Sequence, residues 1–339
     1  MQVSLEKLKL ERTVEGTHGM VFKNAASCWV RRVESYHGTR THLQVSNSLA
    51  FEVRQSWFHR SFDYGNGGYG YGVELGWRTT DALVEDNVFN SLRHAMMVHV
   101  GVVGAVFGNN FAGRNLQGAG ETGLNAGWIP PDISVHGHWA QMNLFEGNAV
   151  QEIGISDYWG PMGPGNTFYR NVVRGEGILL NDHSDGQNLV GNAAAAWVDD
   201  GTSANTLRHG ENVGGAMVWS ASLVDRAIPA SLYRSAKPAW WGSLAWPSMG
   251  GDIAEGRNPA QLRFEAGKPI PSESVSGVRT PSSLGGALAA PSLRVGPDGR
   301  VSRQSGGGVL SVGGRASLPS GVHFLLGGSG AACRKIVVP

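Results

Sequence analysis

The sequence predicts an all-β chain folded as a right-handed parallel β-helix of about eight coils, and three observations predict it. A short phrase recurs along the chain, its copies lie about 22 residues apart, and the phrases are β-type runs separated by polar turns. Leucine-rich repeats share the period, but their leucine framework is missing; tetratricopeptide and ankyrin arrays are longer and helical.

The phrase places alternating apolar positions before an Asn and an apolar pair after it. It reads Val84-Glu85-Asp86-Asn87-Val88-Phe89, then Val106-Phe107-Gly108-Asn109-Asn110-Phe111, Phe145-Glu146-Gly147-Asn148-Ala149-Val150, Phe168-Tyr169-Arg170-Asn171-Val172-Val173 and Leu189-Val190-Gly191-Asn192-Ala193. A looser copy ends at Asn212, and Ser56 takes the Asn place in an earlier one. The intervals from Asn87 through Asn109, Asn148, Asn171, Asn192 and Asn212 are 22, 39, 23, 21 and 20 residues. The interval of 39 is one coil plus an insertion at 114–131. Coils stack about 4.8 Å apart, so an inward Asn at a fixed place can bond backbone groups and the Asn amide of the next coil. Asn87, Asn109, Asn148, Asn171 and Asn192 are therefore expected to form one inward ladder. A second strand per coil is expected at 72–75, 95–100, 133–135, 155–157 and 178–180, giving a solenoid over residues 2–222.

Composition agrees and narrows the function. Glycine, at 50 of 339 residues, is about twice its usual share. Charged residues are 16% and the net charge is +1, so there is no basic stripe for nucleic acid. No apolar stretch reaches the roughly 18 residues of a membrane span. Cys28 and Cys333 lie too far apart in sequence to suggest a disulfide framework or zinc site, and Cys28 is read as a small core residue. No basic and apolar leader precedes the first strand, and the chain starts within a repeat. It is read as lacking its natural N-terminus and as a secreted, monomeric protein.

Four segments are expected: the β-helix at 1–225, a closing segment packed on it at 226–270, a Gly/Ser/Pro-rich linker at 271–295, and a small β or disordered tail at 296–339.

The phrases Ala26-Ser27-Cys28-Trp29-Val30, Gly68-Tyr69-Gly70-Tyr71-Gly72-Val73, Arg93-His94-Ala95-Met96 and Asn143-Leu144-Phe145-Glu146-Gly147-Asn148 resemble bacterial proteins of the pectate-lyase-like β-helix superfamily. The stretch 231–247, with Trp240-Trp241-Gly242 inside it, resembles the segment that closes such helices. The likeness covers about residues 15–250. It implies the fold and, more loosely, a carbohydrate-directed function, because the superfamily holds polysaccharide lyases, glycoside hydrolases and non-catalytic adhesins. The paired aspartates of polygalacturonases are missing here, as is the clustered-acid calcium site with an arginine base of pectate lyases. The end of the chain, around Leu318-Pro319-Ser320-Gly321 and Arg334-Lys335-Ile336-Val337, resembles a truncated sorting domain of secreted bacterial proteins.

Counting back seven residues from the apolar residue that opens each Asn strand gives Trp77, His99, His138, Pro161 and Asp182, expected to form one column on one face. His136, Asp157, Trp159 and His183 lie close by in sequence, and Arg93 and His94 lead into the His99 strand. Two long insertions, 61–71 with Tyr64, Tyr69 and Tyr71 and 114–131 with Arg114 and Trp128, should wall that face. Aromatic rings stack on the apolar faces of sugars, so the partner expected is a polysaccharide or oligosaccharide. A histidine can take the proton alpha to a uronate carboxylate, and Arg93 or Arg114 can neutralise that carboxylate, which points to a lyase. His138 is the first choice for proton transfer. Glycoside hydrolysis by a carboxylate pair drawn from Glu146, Asp157, Asp182 and Asp185 is the alternative, as is a non-catalytic binding module. His136, His138 and Asp132 could hold a metal, so a divalent cation such as calcium is the one cofactor left open.

Overall fold

The computed structural model describes residues 3–65, 68–116, 130–156 and 160–272, with the backbone of Gly118–Ala119 and of five short strands between Ser292 and Val338. It is a parallel β-solenoid. One face is a nine-stranded sheet that begins with Ser4–Glu6, Trp29–Arg31 and Glu52–Arg54 and ends with Leu207–His209. A second face carries Glu34–Gly38, Trp57–Ser61, Val88–Leu92 and Phe111–Asn115, and a third carries His18–Lys23, Thr41–Ser46, Tyr71–Gly76, His94–Val98 and Ile133–His136. The second and third faces merge in the long strands Ala149–Ser156 and Val172–Asn181, where no insertion separates them. Inside lies one continuous apolar core whose stacked rings Phe107, Phe145 and Phe168 repeat 4.8–5.0 Å apart. Cys28 belongs to that core.

The ladder runs through Asn110 and not Asn109. Asn87 Nδ2 donates to Asn110 Oδ1, Asn110 to Asn148, Asn148 to Asn171 and Asn171 to Asn192, at 2.9–3.0 Å. Each Oδ1 also accepts the backbone N–H of the ladder residue one coil back, and each Nδ2 also reaches a carbonyl, as Asn148 does Phe107 O at 2.9 Å. The residue before each ladder Asn turns the chain with a positive φ: Asp86 57°, Asn109 58°, Gly147 66°, Arg170 50° and Gly191 67°. In the Asn109-Asn110 pair the first therefore takes the left-handed place, which Asn tolerates, and the second enters the core. The upper end is closed by Glu211, which accepts from Asn192 Nδ2 at 2.8 Å, while Asn212 bonds Gly251 O outside the stack. A second ladder, Asn143 to Asn166 to Gln187, supports the corner between the third and first faces.

The segment after the last coil runs back along the outer surface of the first face. Arg234 and the Tyr233 hydroxyl bond Glu85, Leu232 N–H donates to Glu146 at 2.8 Å, and Arg263 pairs with Asp86 at 2.9 Å. The helix Pro259–Glu265 is capped by Asn258, whose amide also donates to Asn110 O and Gly147 O. Residues 273–291, most of the expected linker, lie outside the described residues, and the strand Ser292–Val295 ends that interval. This strand, Val301–Ser305 and Gly308–Ser311 form an antiparallel sheet, and Gly321–Leu325 pairs with Arg334–Val338; both belong to a separate compact unit that includes Arg279–Pro339.

Replacing Asn148 by Leu orphans Asn110 N–H and one hydrogen of the Asn110 amide, and Phe107 O loses one of its bonds. At about 1–3 kcal/mol for each buried unpaired group, the variant should lose about 3 kcal/mol or more in denaturant unfolding. A change under 1 kcal/mol would show the ladder to be dispensable.

Candidate functional site

The outward side of the third face forms an open groove of about 690 Å³. Strand alternation dictates its floor. Val73, Leu75, Met96, Val98, Ile133, Val135, Ile153, Ile155, Ile178 and Leu180 point into the core, so the residues between them point out. Ser134, Gly154 and Leu179 align on successive coils, as do His136, Ser156 and Asn181. Arg40 and Arg93 stand at one end with Tyr71 and His94, and Trp77, His99 and His138 lie along one side. The lining comes from six coils, a run of roughly 24 Å at about 4.8 Å per coil.

The two insertions meet beside it. Asp63–Tyr64 pairs antiparallel with Gly118–Ala119, and Pro131, at the end of the second insertion, lines the groove. Both insertions leave the solenoid at the corner between the second and third faces, which brings them to the same edge.

The groove thus gathers Tyr71, Trp77, Arg93, His94, His99, His136 and His138. The expected single column is corrected by one residue. Val98 pairs with Val135, yet Gly101 N–H reaches His138 O, so Gly137, with φ 103°, is an extra residue in its coil. His99 therefore neighbours His136, their rings edge to face at 4.4 Å, and His138 shares a row with Val100 and Trp77. Tyr64 is not a substrate contact: it is fully buried, its hydroxyl accepting Ser61 N–H at 2.9 Å. Tyr69 is exposed outside the groove lining, and Arg114 lies on the second face. Asp182 sits just beyond the end of the groove, accepting from Ser156 Oγ at 2.7 Å, and His183 is turned towards Thr202 O. Glu146 is buried beneath the returning segment on the first face, which removes it from any carboxylate pair here. Trp128, Asp157 and Trp159 lie outside the described residues. Among the described residues no three His, Cys, Asp or Glu side chains are placed to hold a metal, so the arrangement of His136, His138 and Asp132 is not formed.

Five polar lining residues went unread in the sequence: Arg40, Ser134, Glu152, Ser156 and Asn181. Glu152 belongs to no motif; only the outward register of its strand marks it. It is 1% exposed, and its Oε2 has no hydrogen-bond partner among the described residues. Burial, with Glu176 and Asp132 adding repulsion, raises Glu152 to about 8. Asp132 rises to about 7 through burial, although Gln151 N–H donates to it at 2.7 Å. The imidazoles move the other way. Burial and the Arg40 cation lower His99 to about 4, and burial with neighbouring His99 lowers His136 to about 3. His94, fully enclosed and bonded through Nδ1 to Pro131 O at 2.6 Å, falls to about 3. At neutral pH His94, His99 and His136 are therefore neutral, in a groove that also holds the protonated Glu152 carboxyl.

Comparison with protein-family models, curated proteins and solved structures found no match for this chain. What it shares with pectate-lyase-like proteins is the parallel β-solenoid itself.

Buried groups give stability a pH signature. Asp86, Asp132, Glu146, Glu152 and Glu211 are raised to between about 6 and about 8, so each favours the fold below its ordinary value and loses that contribution as pH rises through the folded one. His42, His59, His94, His99 and His136 are lowered to about 3–4, so each costs stability as pH falls below the ordinary imidazole value of about 6.5. The two sets balance near pH ~5.5. The Tm should peak between about pH 5 and 6.5 and fall on both sides; a plateau to pH ~9 would contradict these protonation states.

Proposed function

We propose that the protein is an extracellular polysaccharide lyase that binds an acidic chain along the groove of the third face and cleaves it by β-elimination. The observation that carries this reading is the constellation on the groove: arginines at one end, neutral imidazoles in the middle and a protonated carboxyl within the same lining. Arg40 and Arg93 supply positive charge for a uronate carboxylate, which makes the proton alpha to it more acidic. His99 takes that proton. Glu74, held by Thr41 Oγ1 at 2.8 Å, stands 3.8 Å from His99 Nε2 and favours the imidazolium that results. The electron pair left on carbon forms the new double bond and the glycosidic C–O bond breaks. The departing oxygen takes a proton from water in the groove, whose hydroxide then takes the proton held by His99, so the cleaved chain ends in an unsaturated uronate and no water is consumed overall.

The protonated Glu152 also supports a second reading, glycoside hydrolysis, in which it is the general acid and water adds across the broken bond. Product chemistry separates the two. Purified protein is incubated with polygalacturonate, alginate, hyaluronan and a neutral glucan, and products are followed by ultraviolet absorbance of the unsaturated end and by reducing ends. Elimination gives both signals on a uronate polymer; hydrolysis gives reducing ends alone. Binding without either signal would leave a non-catalytic module.

On the polymer that is cleaved, His99→Ala should lower kcat by about 100-fold or more while leaving binding within a few-fold. The wild-type kcat/KM should be bell-shaped. Its acid limb lies near pH ~4, where His99 takes a proton, and its alkaline limb near pH ~8, where Glu152 loses one and its charge opposes an acidic chain in the groove. Glu152→Gln, which stays neutral, should remove the alkaline limb; an unchanged limb would show that Glu152 does not set it.

A further inference from the structure

The groove ends at a ridge, the turn leading from the third face back to the first, and this ridge carries side chains that the chemistry above does not use. Trp77 is 55% exposed and Trp139 is 59% exposed, whereas the other tryptophans among the described residues are buried or half-buried. Both sit at positive φ, 50° and 60° respectively. A bulky residue in that region costs free energy, and such positions persist where the surrounding fold imposes them. Here the imposed conformation turns two indoles outward. Backbone bonds place them on one ridge: Asn47 N–H reaches Trp77 O, Arg78 N–H reaches Val100 O, Gly101 N–H reaches His138 O, and Trp139 N–H reaches Pro161 O. Arg78, Gly101 and Trp139 thus follow one another on successive coils, with Trp77 beside Arg78. The two indoles stand two coils apart, roughly 10 Å along the axis. Between them Gly101 presents no side chain; the stem of Arg78 lies over it, Cγ 3.0 Å from where a Cβ would stand, and the exposed guanidinium donates to Asn47 Oδ1 at 3.4 Å.

We propose that Trp77, Arg78, Gly101 and Trp139 form a sugar-binding rail on the rim of the groove. On it two rings of an acidic polysaccharide stack while the chain runs parallel to the solenoid axis, and Arg78 meets a carboxylate between them. The rail rests on the reading of the groove as a polysaccharide site and adds to it a direction for the chain and a requirement for length. Neutral indole faces suit the apolar faces of sugar rings, and one guanidinium between them selects an acidic chain over a neutral one. Gly101 gives that room to the stem of Arg78, so the intervening coil offers a ring bridging from one indole to the next a guanidinium and no side chain of its own.

The test is affinity electrophoresis of the full chain in gels containing polygalacturonate, alginate, hyaluronan or a neutral glucan, with Tm measured for every variant. Trp139→Ala should weaken retention by the polymer that wild type binds by about tenfold, whereas Trp139→Phe, which keeps an aromatic face, should lose less than about threefold. Arg78→Gln should weaken binding of that polymer and flatten its salt dependence. Tm should stay within about 2 °C in all three, because these side chains are exposed. If wild type is retained by a polymer and Trp139→Ala is retained equally, the rail is wrong while the groove reading stands. If wild type is retained by none of the polymers, the groove reading fails and the rail with it.

Discussion

Five successive coils of this solenoid turn their first corner around the same buried amide, and the rest of the structure depends on that repetition. An Asn side chain has two donors and an acceptor with two lone pairs, and in the ladder all are used. The oxygen takes a backbone N–H and a side-chain N–H from one neighbouring coil, and the nitrogen serves the other neighbour and a carbonyl. A buried amide left half-paired would cost more than an apolar residue, so the ladder stabilises only when it is continuous. Continuity in turn fixes register. Because each Asn bonds the next, the phenylalanines stack ring on ring and the outward residues of the third face line up as rows. The groove is a consequence of that alignment.

The two outer faces meet the cost of burying charge in different ways. On the first face, Glu85 and Asp86 keep cationic partners, Arg54 and Arg234 for one and Arg263 for the other, and the returning segment covers them. There the carboxylates fasten one part of the chain to another. On the third face Glu152 has no cationic partner among its perturbing groups, and Asp132 and Glu176 push it further towards its neutral form. Burial that only anchors the strap on one side produces, on the other, a carboxyl that holds its proton above neutrality beside histidines that cannot hold theirs.

Left-handed backbone links fold and site. The positive-φ residue before each ladder Asn is a turn requirement, met by Gly, Asn, Asp or Arg. At the ridge beside the groove the same conformation is taken by Trp77 and Trp139, residues that gain nothing from it locally.

Much of this was written in the sequence because a solenoid repeats its local chemistry. The 22-residue phrase gave the coils, the strands and the face on which Trp77, Arg93, His99, His136 and His138 converge, since a constant offset in a repeating fold is a position in space. The errors were errors of one residue. Asn109 and Asn110 are chemically identical, and only the turn geometry assigns one to the corner and the other to the ladder. The strand register pairs His99 with His136, and the extra residue at Gly137 brings His138 only to the row of Val100, without any mark in the apolar pattern. Tyr64 looks like an exposed loop aromatic until the two insertions pair and enclose it. Sequence alone determined the periodic part of the protein, because hydrophobic alternation and Asn spacing are local quantities. Tertiary structure decided what depends on neighbours far along the chain: which carboxyl is covered and paired, as Glu146 is by residue 232, and which is covered and left alone, as Glu152 is, because desolvation is a property of the assembled surroundings and not of the residue.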